Sequence, residues 1–211
     1  MIVLRQKAAQ MIRLAVKAEP TLEVSGFGKA HLEDGKITVT DIIIPPQEGG
    51  GAYTDIEKGN LRTTLIEIAR KGHTLSDYPV WWHSHCGMTT HPSRQDDDTL
   101  ELLAESVPDL GWFAGLVTNL RGEYYGWIDV EHPVGLFAEL DVEAKGTFAS
   151  HGVATQVKQM MKRVIDKSPV TPKGAYPSLR GQALPYEYGV WNAEDLASFR
   201  KIAEEGEERG R

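Results

Sequence analysis

An α/β domain is what this sequence predicts, and three observations predict it. Segments with apolar residues at i, i+3, i+4 and i+7 alternate with short runs rich in β-branched and aromatic residues. The 211 residues, 41% of them hydrophobic, suffice for one core of ordinary size plus an extension. Neither an internal repeat nor a low-complexity tract interrupts the alternation.

Taken in order, Gln6 to Ala18 places Ala8, Met11, Ile12 and Ala15 on one face, the pattern of an amphipathic helix that Pro20 stops. Leu22 to His31 and Lys36 to Ile44 read as strands joined by Glu33-Asp34-Gly35, whose Asp-Gly pair tolerates the positive φ of a tight hairpin. Pro45-Pro46 and Gly49-Gly50-Gly51 then predict a flexible loop as far as Lys58, too mobile to join the core. Asn60 to Lys71 is expected to be helical, with Leu61, Leu65, Ile68 and Ala69 at helical spacing, Asn60 capping the start and Gly72 the end. Pro79 to Ser84 predicts a strand and Asp96 to Glu105 a third helix. Gly111 to Thr118 and Glu123 to Val130 predict a hairpin around Asn119-Leu-Arg-Gly122. Ser150 to Lys167 is expected to be a further helix. Beyond it, prolines at 169, 172, 177 and 185 break up any regular element, and the charge-rich end from Glu194 predicts an arm closing in a short helix. The expected organisation is a domain over 1–150 and a helical, proline-containing C-terminal extension over 151–211.

Bulk properties remove several classes. No apolar run approaches the roughly 20 residues that span a bilayer. The start, Met-Ile-Val-Leu-Arg-Gln-Lys, lacks the features of a secretory signal, which predicts a cytoplasmic protein. A net charge of −7 with scattered Lys and Arg argues against a nucleic-acid surface. The single cysteine, Cys86, excludes an internal disulfide and every zinc site built on paired cysteines, so any metal must be held by His and carboxylate.

The segment that carries chemistry is Trp81-Trp-His-Ser-His-Cys-Gly-Met-Thr-Thr-His-Pro-Ser-Arg-Gln-Asp96. Residues two apart on a strand share a face, so His83 and His85 present both imidazoles to one side. A loop of seven residues leads to Ser93, where a helix begins, and Asp96 can point back from its first turn. Two neutral imidazoles and a carboxylate suit zinc and leave the fourth tetrahedral position open, the arrangement of catalytic sites. Each part has a plainer reading alone: Ser93 and Asp96 as a capping box, the histidines as a hydrogen-bonded pair. On ordinary residue usage, however, the four positions together arise by chance in well under about one in a thousand chains of this length.

His-x-His, seven residues, Ser, two residues, Asp resembles the JAMM (MPN+) zinc metalloproteases at His83, His85, Ser93 and Asp96. The family's upstream Glu, followed by Gly at the start of a strand, is matched by Glu23-Val-Ser-Gly26. Trp-Trp-His-Ser-His, the Asp run 96–98 and Leu116-Val-Thr-Asn119 look like bacterial and phage members. The resemblance covers roughly residues 1 to 130. It implies a three-layer α/β/α mixed sheet of the cytidine-deaminase-like kind, one Zn2+ per chain on His83, His85 and Asp96, and Glu23 as general base. It further implies that Ser93 steadies the developing oxyanion, and that the bond cleaved follows the C-terminal glycine of a ubiquitin-like protein or peptide.

Glu19, at the end of the first helix, competes with Glu23, which is preferred because a strand residue is held more rigidly. Cys86 replaces a Pro common in the family and reads as an incidental loop residue, since a thiolate would fill the open position. His91 reads as a loop or substrate-facing residue, Trp81 and Trp82 as core. The rival readings are a RadC-like protein, a non-enzymatic scaffold that has lost catalysis, and a phage or cell-wall amide hydrolase. A barrel hydrolase needs about 250 residues. A nucleobase deaminase needs paired cysteines.

Overall fold

The computed structural model describes residues 1–51, 53–56, 58–106, 110–130, 135–146 and 151–167. The arm and terminal helix expected from 168 onward lie outside them. The chain opens with β1 (Ile2–Leu4) and α1 (Gln6–Ala18), then β2 (Ser25–Glu33) and β3 (Lys36–Ile43). A small pair follows, β4 (Gln47–Gly50) and β5 (Tyr53–Asp55), then α2 (Lys58–Arg70), a 3-10 turn (Leu75–Asp77) and β6 (Val80–Ser84). The rest comprises α3 (Arg94–Ser106), β7 (Trp112–Thr118), β8 (Tyr124–Val130), β9 (Leu136–Leu140), β10 (Val142–Ala144), α4 (His151–Met161) and β11 (Val164–Asp166).

Eight strands form one mixed sheet in the order β10-β1-β3-β2-β6-β7-β8-β9, and β11-β4-β5 form a second, small one. Although β9 and β10 stand at opposite ends of that order, only Asp141 separates them. Residues 136–140 pair with β8 and 142–144 with β1, so the sheet curls until its two edges meet. Alternation along the strands divides the core. Val80 and Trp82 of β6 join Met11, Ile12, Met160 and Met161 from α1 and α4 in one cluster. Trp81 and the neighbouring strand residues Phe113 and Trp127 join Leu61, Ile68, Leu100 and Leu103 from α2 and α3 in the other. Four helices thus flank a mixed sheet on both faces. No helix among the described residues is long and apolar enough to cross a membrane.

Most expected elements appear within two or three residues of their expected bounds, and the β2–β3 turn has both Asp34 and Gly35 at positive φ. The glycine-rich stretch is a correction. It forms β4 and β5, and Gln47, Gly49 and Gly50 are buried. Its glycines serve close approach: a Cβ on Gly49 would lie 2.7 Å from the Glu23 carbonyl oxygen, and one on Gly50 2.4 Å from the Tyr53 ring. The helix expected to reach Lys167 ends at Met161, because Val164–Asp166 pairs in parallel with β4. Asn60 lies inside α2, not at its cap, since the helix starts at Lys58. The described part of the expected extension packs into the domain, with Val157, Met160 and Met161 in the core against α1. β1 and β10, of three residues each, are too short for an alternation to be read from sequence, and β9, Leu-Phe-Ala-Glu-Leu, shows none.

Candidate metal centre

β6 lies in the interior of the sheet, antiparallel to β2 and parallel to β7, with all five residues buried. His83 stacks on Trp81, with ring centroids 4.5 Å apart. His85 follows the strand, its N–H donating to the Thr118 carbonyl at 2.8 Å and so extending the β6–β7 pairing. Asp96 comes back from the first turn of α3. There a capping box fixes it: the Ser93 N–H donates to Asp96 Oδ2 at 2.6 Å, and the Asp96 N–H to Ser93 Oγ at 3.3 Å.

His83 Nε2 lies 3.0 Å from His85 Nε2 and 3.1 Å from Asp96 Oδ1, and His85 Nε2 lies 3.5 Å from Asp96 Oδ2. Donors about 2.0–2.1 Å from a tetrahedral ion stand roughly 3.3 Å apart. The three separations bracket that value, so the residues fit a metal ion. The other His85 nitrogen, Nδ1, sits 2.8 Å from the Thr89 carbonyl oxygen. A carbonyl only accepts, so Nδ1 carries a proton, and whenever the ring is neutral the Nε2 lone pair faces His83 and Asp96. His83 Nδ1, by contrast, is buried without a hydrogen-bond partner among the described residues.

The charges in the site are coupled. Burial works against the charge of Asp96, but hydrogen bonds from His83, His85 and the Ser93 backbone hold its carboxyl well below the usual carboxylate range. Burial also works against the charged form of His85, and its contacts with Asp96 and Thr89 outweigh it and raise its pKa. Glu23 is buried, which pushes its carboxyl up to about 7, with His85 opposing the rise and Asp96 adding to it. Glu19 is half-buried at the end of α1, where it is the residue that caps the helix. Glu23 is held, but not by lying in a strand, as the sequence reading had it, since it precedes β2. Its N–H donates to the Gly50 carbonyl at 2.8 Å, Val24 exchanges two bonds with Ser84, and the Ser25 N–H donates to Gln47 Oε1 at 2.8 Å.

Ser93 is exposed at the helix start, where its Oγ accepts from Asp96 and its own proton stays available to donate. Cys86 is absent from the cluster of convergent ligand atoms. Burial, with Glu23 nearby, pushes its thiol up to about 11, so it stays protonated at neutral pH. His91 is exposed and stacks on Tyr125, with centroids 5.3 Å apart.

Sequence reasoning missed the supports around these residues. Gln47 is fully hydrogen-bonded and buried: its Oε1 also accepts from Thr54 at 2.7 Å, and its Nε2 donates to the Ser25 carbonyl at 2.8 Å. Asn119, read as a turn residue and as the end of the Leu116-Val-Thr-Asn119 likeness, and Arg121, read only as a turn, grip the loop after His85. For Gln47 the signal was a Gln beside apolar strands, which is too common to single out, and for Asn119 the Leu116-Val-Thr-Asn119 likeness marked the position but not its role.

No protein-family model matches the chain, and no curated protein matches it. Among solved structures it is similar to the solution structure of a protein from Desulfitobacterium hafniense, at 16% identity and a TM-score of 0.45. The match covers 72% of this chain and 97% of that one. A likeness of that size carries no functional argument.

Proposed function

We propose that this chain is a zinc-dependent hydrolase of the JAMM type. Its expected substrate is a peptide or isopeptide bond, in the first instance one that follows the C-terminal glycine of a ubiquitin-like protein in the cytoplasm. The observation that carries this reading is the convergence of His83 Nε2, His85 Nε2 and the Asp96 carboxylate within 4.8 Å, beside a buried glutamate coupled to His85 and Asp96. In this reading the curled mixed sheet with helices on both faces is the JAMM fold.

His83, His85 and Asp96 would hold the ion through two imidazole nitrogens and one carboxylate oxygen, a set that suits zinc. When bound, zinc supplies Lewis acidity and brings the pKa of water toward ~7. Glu23, with a carboxyl near neutrality, accepts a proton from the attacking water and returns it to the leaving amine nitrogen. The Ser93 hydroxyl donates to the carbonyl oxygen as it gains negative charge. Around the reacting bond, the buried Glu23, His83 and Cys86 keep bulk water out and strengthen these interactions. A glycine tail suits such a site because a backbone without side chains can approach the ligands closely.

Metal analysis of the purified protein, together with cleavage of a fluorogenic ubiquitin-like fusion ending in Gly-Gly, tests the reading. The expected result is about one zinc per chain and cleavage after the second glycine. Protein that neither retains nor takes up zinc would overturn it. No cleavage by zinc-loaded protein would shift the substrate to another amide, such as one in a cell wall or a phage assembly.

A further inference from the structure

His83 is fixed by the interior of the sheet, but His85 stands beyond the end of β6, at the start of a loop that doubles back on itself. The Met88 N–H donates to the His85 carbonyl at 2.8 Å, and Cys86 adopts a positive φ of 43°. That conformation is uncommon for a non-glycine residue and persists only where surrounding contacts over-determine it. The contacts come from the turn between β7 and β8. The Leu120 N–H donates to the Cys86 carbonyl at 2.9 Å, and Arg121 donates from Nη1 to the Gly87 carbonyl at 3.0 Å and from Nη2 to the Met88 carbonyl at 3.2 Å.

Asn119 is the hub of this turn. It is 2% exposed. Its Nδ2 donates to the Met88 carbonyl at 3.0 Å and to Glu123 Oε2 at 2.7 Å, while its Oδ1 accepts from the N–H groups of Arg121 and Glu123. Glu123 in turn holds the Arg121 guanidinium through Nε and Nη2. Every polar atom of the Asn119 side chain is therefore used, and the network is rigid because it is satisfied. What it fixes is the Met88 carbonyl, one residue before the Thr89 carbonyl that takes the proton of His85 Nδ1.

We propose that Asn119, with Arg121 and Glu123 as its auxiliaries, is a positioning residue for His85: by anchoring loop 86–89 it holds the Thr89 carbonyl against Nδ1 and so directs the Nε2 lone pair at the metal. The inference rests on the metal reading above. Hydrogen bonds to the distal nitrogen of a histidine ligand are worth about 10- to 100-fold in metal affinity, and Asn119 acts one step further out on the same bond.

Two measurements on the full chain test it. Zinc affinity is read by chelator competition. The tautomer of His85 is read by imidazole 15N NMR on metal-free protein, at a pH where the ring is neutral. Asn119→Ala is expected to weaken zinc binding about 10-fold or more and to turn the Nδ1-protonated His85 into a mixture of tautomers, with His83 unmoved. Arg121→Ala, at an exposed position that protects the fold, is expected to shift both readouts the same way by a smaller amount. Wild-type zinc affinity, or a wild-type His85 tautomer, in both variants would overturn the proposal. A wild-type protein that binds no zinc would instead overturn the metal reading, and the tautomer measurement would still decide the role of Asn119.

Discussion

His83, His85 and Asp96 come from one short stretch of chain, a strand end, a loop and a helix start, whereas Glu23 reaches the same centre through partners scattered over the fold. Its N–H is taken by Gly50, its neighbours Val24 and Ser25 by Ser84 and Gln47. The ligand half is a local motif braced from outside. The proposed base half has only the short Glu23-Val-Ser-Gly26 match in sequence and takes its shape only when β2, β4 and β6 are assembled. Ser84 joins the two: lying between the histidines, it is fully buried and exchanges hydrogen bonds with Val24, so the strand that presents His83 also fixes the segment carrying Glu23. Damage to the ligand half should therefore appear as lost metal, and damage to the base half as lost turnover with metal retained.

The largest effect is expected from His83→Ala and Asp96→Ala, each of which should abolish stoichiometric zinc and with it hydrolysis. Full zinc retention in both would show that the ion sits elsewhere. Next, Glu23→Gln should keep zinc and lower kcat by roughly 10²–10⁴, the usual worth of a general acid–base. Glu19→Gln should behave as wild type. Near-normal rates in Glu23→Gln with loss in Glu19→Gln would reverse the assignment.

Gln47→Leu tests the scaffold of the base half without touching either carboxylate or ligand. It strands the Ser25 N–H and C=O in the interior, at a cost of about 1–3 kcal/mol, and frees the segment that aims Glu23. Zinc content should be unchanged while kcat falls by up to ~10², the penalty of misplacing a catalytic group by about 1 Å. A variant with lowered zinc and normal kcat per bound metal would mean the two halves are not separable as argued.

The smallest effect concerns pH and metal-free protein. Folding raises the Glu23 carboxyl from 4.5 to about 7, so the folded state binds the proton more tightly than the unfolded chain. Its contribution is fully present below about 4.5 and is lost as pH rises through about 7, on the order of 3 kcal/mol in all. Glu23→Gln should therefore be more stable than wild type above neutrality, with the difference shrinking as pH falls toward 5. A pH-independent difference in denaturation midpoint would show that Glu23 carries no such shift.

Read alone, the sequence determined that His83, His85 and Asp96 come together. A period of two on a strand puts His83 and His85 on one face, and a capping box puts Asp96 in the first turn of a helix. Both are local rules of backbone geometry that operate over a few residues, and here the tertiary structure obeys them. The principal strands and helices were legible for the same reason. The glycine-rich stretch was not, because glycine signals freedom in sequence, and only the fold reveals that Gly49 and Gly50 are small because Glu23 and Tyr53 lie against them. Tertiary structure alone decided that Val164–Asp166 leaves helix for strand, since its partner β4 is more than a hundred residues earlier. It alone decided that Asn119 grips the loop of His85, and that Glu23 is buried. Desolvation and long-range hydrogen bonding depend on what the folded chain brings together, and no spacing within a segment records that.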